Sequence, residues 1–192
     1  MVRVRETSPP ALLLFIAFTV ICGGIYPLLV TGIAQAVFSK QAAGSFITDG
    51  TRREVGSRLL GQPFSDDKYF WPRPPATSDF GYYPMGSSGS NAGLTNPDYL
   101  KTVAGRVQGL REAGVTWELP ADLVQASGSG LDPQISPQSA LVQVARVAKA
   151  RGMGRERVGK VVREHTEGRQ FGFLGEPRVN VLELNLALDA AK

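Results

Sequence analysis

The distribution of hydrophobic and charged positions divides the chain near residue 38. Residues 11–38 contain no charged side chain, and charged residues recur throughout the rest. A helix needs roughly 20 apolar residues to cross a hydrocarbon core of about 30 Å. The run is also longer than the roughly 7–15 apolar residues of a cleaved signal peptide. We therefore expect a short N-terminal tail (1–10), a retained transmembrane helix (11–38) and a soluble domain (39–192).

Small and weakly polar residues recur within the predicted membrane helix. Ala17, Gly24, Thr31 and Gln35 fall close to one face at regular helical spacing. Such residues let a second helix approach closely and offer it hydrogen bonds. The pattern predicts that the helix packs against a partner helix and does more than tether the chain.

The pattern after residue 38 alternates between short strands and amphipathic helices. It predicts a strand pair (45–47 and 54–56), a capped short helix (63–71), and helices from Pro97 to about Ala113, from Ser136 to near Gly152, and over 155–166. Leucines at 182, 184, 186 and 188 alternate as in a strand, but Asn180 and Glu183 resemble a capping box, so we expect a helix there. The expected fold class is a mixed α/β (α+β) soluble domain on a single N-terminal transmembrane helix.

Composition argues against several function classes. Subtracting Arg3, Arg5 and Glu6 from the totals of 21 basic and 17 acidic residues leaves 19 and 16, so the soluble part is only mildly basic. The single cysteine lies in the membrane helix, and His165 is the single histidine. No nucleic-acid-binding module, metal-ligand cluster or catalytic constellation is recognisable. We expect no metal, no nucleic-acid partner and no catalytic activity, and we expect His165 to lie at the C-terminal end of a helix.

Residues 64–96 combine seven of the chain's sixteen aromatic residues with many turn-forming residues. A disordered linker is poor in aromatics, and an ordered loop of this length is usually functional. Three interpretations remain open. The aromatics form a protein interface, which the pattern favours, or they fill the domain's own core, or they form a sugar-binding platform.

Two further features could bind an anion. In ASGSGLDP (126–133), the backbone around Ser127, Gly128, Ser129 and Gly130 could present N–H groups to a phosphate. A plain glycine-rich turn before the next helix is the favoured interpretation, because no P-loop signature follows. Between residues 146 and 163, seven basic residues face one acid, which suits either phosphate binding or, preferably, the solvated side of two helices.

Four strings resemble one family in order along the chain: GSRLLGQPFSDDKYFWPRPPAT (56–77), GSSGSNAGLTNP (86–97), ASGSGLDPQISPQSA (126–140) and VNVLELNLAL (179–188). They are similar to the C subunit of the Kdp potassium-transporting ATPase. The resemblance implies a single-pass protein of a bacterial or archaeal inner membrane. It also implies three partners: a channel-like K⁺-translocating subunit, a P-type ATPase subunit and a small helical subunit.

The resemblance further implies a role as a catalytic chaperone that raises the ATP affinity of the ATPase subunit. The family's nucleotide-contacting glutamine falls on Gln143, and ATP is the implied ligand. This chain departs from the family pattern at Ala145 and Leu94, where prolines are usual. The short N-terminal tail favours an extracytoplasmic soluble domain, which conflicts with contact to cytoplasmic ATP. The alternative functions are a membrane-anchored extracytoplasmic module for a glycan or protein, and a cytoplasmic nucleotide-binding domain.

Overall fold

The computed structural model describes residues 4–51, 53–76, 81–116 and 118–191. Phe80, one of the aromatics in the 64–96 stretch, lies outside these residues. The chain divides into two compact units, with the boundary in the sequence between Phe46 and Ile47. The first unit is helical, and the second combines helices with short strands, so the expected mixed fold class with one N-terminal apolar helix is confirmed.

The N-terminal unit is dominated by one long apolar helix. It is built from α1 (Val4–Val20), a π-helical turn (Ile21–Ile25) and α2 (Tyr26–Val37), and the short α3 (Ser39–Ala42) follows. The span Thr7–Val37 has 31 residues, is apolar enough to cross a membrane, and contains no residue that is buried within the chain. At 1.5 Å per residue it is about 46 Å long, which is more than enough to cross a bilayer.

The π-helical turn has a local cause in Pro27. Proline lacks an N–H group and its ring crowds the carbonyl four residues earlier, so the regular α-helical hydrogen bonding is disturbed around Pro27. The helix instead forms a wider, π-helical turn that holds one extra residue. In this turn the N–H of Tyr26 donates to the carbonyl of Ile21, five positions earlier. One extra residue rotates later positions by about 100° relative to earlier ones. Ala17 therefore does not share a face with Thr31 and Gln35, which corrects the single small-residue face predicted from regular spacing.

The second unit contains two small sheets and four principal helices. Its elements are β1 (Phe46–Thr48), β2 (Glu54–Ser57), α4 (Pro97–Glu112), a 3₁₀ turn (Ala121–Leu123), β3 (Gln134–Ile135), α5 (Pro137–Arg151), α6 (Arg155–Glu164), β4 (Thr166–Glu167), β5 (Arg178–Asn180) and α7 (Val181–Ala190). Strands β1 and β2 pair, as predicted, and a second antiparallel sheet has the order β3–β5–β4. Val179 at its centre faces Ile135 on one side and Thr166 on the other.

The predicted helix boundaries coincide with side-chain caps. Asn96, Ser136 and Asn180 precede α4, α5 and α7, and each side chain accepts a backbone N–H from the first turn of its helix. Helix α5 ends at Gly152, whose left-handed φ of 64° is readily adopted by glycine. The helical interpretation of the leucine-rich C-terminus is confirmed. His165 caps the C-terminal end of α6, also as predicted.

The short helix predicted over 63–71 is wrong. Asp66 forms only a turn, in which its carboxylate accepts the N–H of Lys68 and its carbonyl accepts the N–H of Tyr69. The following N–H groups, of Phe70 and Trp71, donate to side chains of α7 and α5 instead of to a local carbonyl. The segment is therefore a turn at residues 66–69 followed by extended backbone at Phe70 and Trp71, where sequence-local reasoning predicted a helix.

This extended segment lies between two hydrophobic clusters. Phe70 is fully buried in the larger cluster, which contains residues of β3, α5, α6, β5 and α7. Its neighbour Trp71 packs against the smaller cluster, formed by Leu110, Val115, Leu123 and Val124. Successive side chains of an extended strand point to opposite sides, so two adjacent aromatics join two parts of the core.

Candidate functional site

Gln143 occupies the centre of the soluble unit and is fully buried on α5. Its Oε1 accepts the N–H of Trp71 at 2.8 Å and a guanidinium N–H of Arg146 at 2.7 Å. Its Nε2 donates to the carbonyl of Trp71 at 3.2 Å and to that of Ser139 at 3.0 Å. A side-chain amide has two donors and two acceptor positions, so these four hydrogen bonds use its full capacity. A nucleotide could contact Gln143 only if the segment around Trp71 moved away.

Asn185 on α7 makes an equivalent pair of hydrogen bonds to the backbone of Phe70, the residue before Trp71. Its Oδ1 accepts the N–H of Phe70 at 2.8 Å, and its Nδ2 donates to the carbonyl of Phe70 at 3.0 Å. Asn185 is 1% exposed, so the bonds are shielded from water. Together the two amides pair with the backbone of residues 70 and 71 as a neighbouring strand would. We call this arrangement the amide clamp.

Arg146 completes the clamp from the next turn of α5. Its guanidinium donates to the carbonyls of Asp67 and Tyr69 at 2.8 and 3.0 Å and lies 3.9 Å from the centre of the Trp71 ring. Burial lowers the pKa of the Arg146 guanidinium to about 10, and the nearby Asp67 carboxylate opposes this shift. The group therefore keeps its charge at neutral pH. Carbonyls and an aromatic face surround the two terminal nitrogens, whereas the buried Nε has no hydrogen-bond partner among the described residues.

The serine–glycine loop is built as a tight structural turn. The Oγ atoms of Ser127 and Ser129 lie 3.3 Å apart and accept the N–H groups of Asp132 and Leu131, and the N–H of Gly130 donates to the carbonyl of Ser127. Of the N–H groups predicted to face an anion, that of Gly130 therefore has an acceptor inside the loop. Ser127 and Gly130 are buried, and Gly128 and Ser129 are exposed.

The same loop packs on another segment that carried the family resemblance. The carbonyl of Ser129 accepts the N–H of Ser88 at 3.0 Å and the hydroxyl of Ser87 at 3.2 Å. A Cβ atom at Gly130 would lie 2.5 Å from the carbonyl oxygen of Ser88, so this contact requires glycine. The structure thus brings Ser127, Gly128, Ser129 and Gly130 together. Gln143 makes its hydrogen bonds to Trp71, Ser139 and Arg146 and not to this loop, and its role as a nucleotide contact remains a prediction.

The aromatic stretch contributes mainly to packing. Phe70 and Tyr82 are buried, and Phe64 and Trp71 pack against the core. The Tyr82 hydroxyl donates to the carbonyl of Arg73, and burial raises the pKa of this phenol above its usual value. Tyr83 is 47% exposed. Core packing thus explains most of the described aromatics in this stretch, and a sugar platform gains no support from them.

The basic run on α5 and α6 is divided between two roles. Lys149, Arg155, Arg157, Lys160 and Arg163 are exposed, as predicted for a solvated face. Arg146 instead points into the core. Arg151 donates from Nε to the carbonyl of Lys68 at 2.6 Å and pairs with Asp189 at 2.9 Å. The two inward-facing arginines hold residues 66–71 against α5.

Sequence reasoning missed Asn185, whose role depends on a partner 115 residues away. It also missed Asp122, which accepts the N–H of Ser136 at 2.7 Å and so stabilises the start of α5. A polar residue in the middle of the leucine-rich run was the only available signal for Asn185. No group of three or more potential metal ligands occurs among the residues that the structure describes.

Comparison with known proteins supports the resemblance. The family model described as "KdpC: K+-transporting ATPase, c chain" matches residues 8–190. Proteins named potassium-transporting ATPase KdpC subunit from Geobacter metallireducens and Geobacter sulfurreducens are 67% and 66% identical over 180 residues, covering 94% of this chain and 95% of each relative. The protein of that name from Methylococcus capsulatus is 55% identical over 186 residues, covering 95% and 97%. The chain therefore belongs to the KdpC family, the c chain of K⁺-transporting ATPases.

Proposed function

We propose that this chain is a non-catalytic, membrane-anchored subunit of a K⁺-transporting ATPase and promotes assembly of the complex. The observation that carries the proposal is the exposed apolar helix Thr7–Val37, none of which is buried by the rest of the chain. Leu13, Phe15 and Leu28 on this helix are 70–75% exposed. Such a surface requires either lipid or other membrane helices around it.

The proposed partners are the other subunits of the same ATPase. The relatives are named as KdpC subunits of a potassium-transporting ATPase. The family resemblance implies a channel-like subunit, a P-type ATPase subunit and a small helical subunit as the partners. In the membrane, van der Waals packing and hydrogen bonds drive helix association. Thr31 and Gln35 lie four residues apart on α2, where they share one face and supply both features.

The soluble unit is proposed to lie outside the cytoplasm. The apolar span Thr7–Val37 is longer than the apolar region of a cleaved signal peptide, which favours a retained anchor, and large domains translocate largely regardless of charge. In that orientation the domain acts through protein contacts, and cytoplasmic ATP cannot reach it. The satisfied hydrogen bonds of Gln143 agree with this indirect role.

The family role as a catalytic chaperone is compatible with this arrangement. We expect the chain to lower the KM for ATP of the assembled complex by stabilising one conformation of the ATPase subunit. Coupling of this kind requires only that the chain bind the two conformations unequally. Gln143 and the loop of residues 127–130 would then contribute by holding the domain in shape.

Co-purification tests the assembly role. Full-length chain, a variant lacking residues 1–38, and a variant with residues 7–37 replaced by an unrelated apolar helix of equal length are each co-expressed with the other subunits. We expect the full-length chain alone to co-purify with the channel-like subunit. The replacement is the matched control, because it keeps the tether and removes the specific helix surface.

Retention of the deletion variant at the wild-type level would contradict a membrane-helix docking role. Loss of the deletion variant with retention of the replacement variant would mean that the helix acts as a tether only. In that case, the specific contacts would lie in the soluble unit.

A further inference from the structure

Three large apolar side chains are exposed on one loop of the soluble unit. The loop joins β4 to β5, and we call residues 169–176 the Phe hairpin. Phe171 is 87% exposed, Phe173 is 71% exposed and Leu174 is 47% exposed. These residues do not fill the chain's own core, and they cluster within four positions. Clustered exposed aromatics commonly mark an interaction site, whereas single exposed apolar residues need no explanation.

The backbone of the Phe hairpin is ordered and holds these side chains outward. Gln170 and Leu174 pair as in an antiparallel sheet, with both N–H···O distances at 2.9 Å. Phe171 and Gly172 both have positive φ, at 52° and 82°, and the N–H of Phe173 donates to the carbonyl of Gln170. These are the features of a type I′ turn, whose first central position favours asparagine or glycine and disfavours a bulky side chain.

The chain therefore accepts two unfavourable features at Phe171. The residue adopts a left-handed backbone conformation that bulky side chains avoid, and it leaves an aromatic ring in water. Neither feature is compensated by a contact within the described part of the chain. A binding partner that buries the ring would compensate both.

Charges at the base of the Phe hairpin favour a protein over a lipid surface. Arg169 pairs with both carboxylate oxygens of Glu176, at 2.9 and 2.8 Å, and Arg178 pairs with Glu167 at 2.9 Å. Residues 166–178 thus carry two bases and two acids, all of them paired. Attraction to an anionic membrane would require unpaired basic residues beside the apolar tip. A neutral, rigid aromatic tip instead suits an apolar pocket in a protein.

The small apolar area at the tip of the Phe hairpin restricts the kind of protein that can be its partner. A phenylalanine buries roughly 150–250 Å², so the tip falls short of the roughly 800 Å² per partner in a stable free-standing interface. It cannot by itself hold a second copy or a soluble partner. A chain that a membrane helix already tethers to its complex needs a much smaller buried area for a second contact, because the tether raises the effective concentration of the two surfaces.

We infer that the Phe hairpin is a docking element that inserts Phe171 and Phe173 into an apolar pocket of another protein subunit of the same membrane complex. This inference rests on the proposed function, in which the chain is a subunit of that complex. The membrane helix supplies the tether, and the hairpin supplies a second contact made by the soluble unit.

Photo-crosslinking in the assembled complex identifies the occupant. Phe171→p-benzoylphenylalanine is introduced into the full-length chain, and membranes containing all subunits are irradiated. We expect a covalent adduct with another subunit of the complex, located by mass spectrometry. The same probe at Leu100, which is 53% exposed on α4, gives the background. An adduct with lipid or with a second copy, or no adduct above the Leu100 background, would overturn the inference.

Truncation measures the contribution of the contact. In F171A/F173A we expect the chain to dissociate from the detergent-solubilised complex about tenfold faster or more, which corresponds to 1.4 kcal/mol or more. L100A/L141A removes two exposed leucines from helices and is the matched control, with wild-type dissociation expected. Dissociation of F171A/F173A at the control rate would overturn the inference, and the proposed function would stand if the wild-type chain still co-purified. Failure of the wild-type chain to co-purify would remove both.

A second variant separates docking from folding. Phe171→Asn places a residue preferred at this turn position, so we expect the variant chain to unfold at an equal or higher temperature than the wild type. It should nevertheless dissociate from the complex faster. Slower or unchanged dissociation in Phe171→Asn would show that the ring makes no docking contact.

Discussion

Gln143 and Asn185 are buried amides that take the place of a neighbouring strand. The extended segment at residues 70 and 71 has no β-sheet partner, and buried backbone groups need one. The two amides supply donors and acceptors from α5 and α7, and Arg146 adds a third contact through the Trp71 ring. At this scale, a residue identified by family resemblance as a nucleotide contact has an evident structural task.

Replacing Gln143 tests this task. In Gln143→Ala the N–H and carbonyl of Trp71 lose their partners inside the core, and each unsatisfied buried group costs about 1–3 kcal/mol. We expect the free energy of unfolding to fall by about 2–4 kcal/mol in urea titrations of the full-length chain in detergent. Gln108→Ala is the matched control, because Gln108 is an exposed glutamine on α4. An unchanged free energy of unfolding combined with weaker ATP use by the complex would instead favour a direct nucleotide contact.

Tyr82 gives a pH-dependent prediction. Burial raises the pKa of its phenol above the ordinary value of 10.0. Above pH 10 the unfolded chain loses this proton and the folded chain retains it, so stability falls as the pH rises, with a limiting slope of about 1.4 kcal/mol per pH unit. We expect a shallower fall between pH 10 and 11 in Tyr82→Phe, measured by urea titration. Tyr83→Phe, which alters a half-exposed phenol, is the control, and equal slopes in Tyr82→Phe and wild type would contradict the burial argument.

At the scale of elements, the parts fixed by local signals were predictable. Asn96, Ser136 and Asn180 cap helices because each is followed by a helical hydrophobic pattern, and Gly152 ends α5 because it readily adopts positive φ. The extended backbone at Phe70 and Trp71 was not predictable, since its hydrogen-bond partners lie 115 and 72 residues away. Strands β3 and β4 contain two residues each, too few for a periodic pattern.

The contact between the 86–89 and 127–130 loops provides a test at the element scale. Gly130 has a φ of 70°, and a Cβ there would meet the Ser88 carbonyl. We expect Gly130→Ala to lower the free energy of unfolding by about 2–4 kcal/mol, because left-handed strain and a backbone clash add. Gly128→Ala is the matched control in the same loop, since nothing lies within 4 Å of its added Cβ. If both variants showed equal and small changes in the free energy of unfolding, together with impaired ATP use by the complex, the result would instead support an anion-binding loop.

At the scale of the whole molecule, function was predictable from resemblance and not from site chemistry. The residues singled out for ATP are engaged in packing: Gln143 in the amide clamp and the 127–130 loop against Ser87 and Ser88. The apolar features that the chain leaves exposed are different ones, namely the helix Thr7–Val37 and the Phe hairpin. Both favour a subunit that acts by contact with other proteins, and we propose that its soluble unit lies outside the cytoplasm.

Protease accessibility of residues 39–192 in intact spheroplasts tests this claim most directly. The measurement requires only an antibody to the soluble unit and a marker confined to the cytoplasm. We expect externally added protease to degrade the soluble unit and leave the cytoplasmic marker intact. Protection of the soluble unit until the spheroplasts are lysed would contradict the account, because it would place the domain on the side where ATP is available.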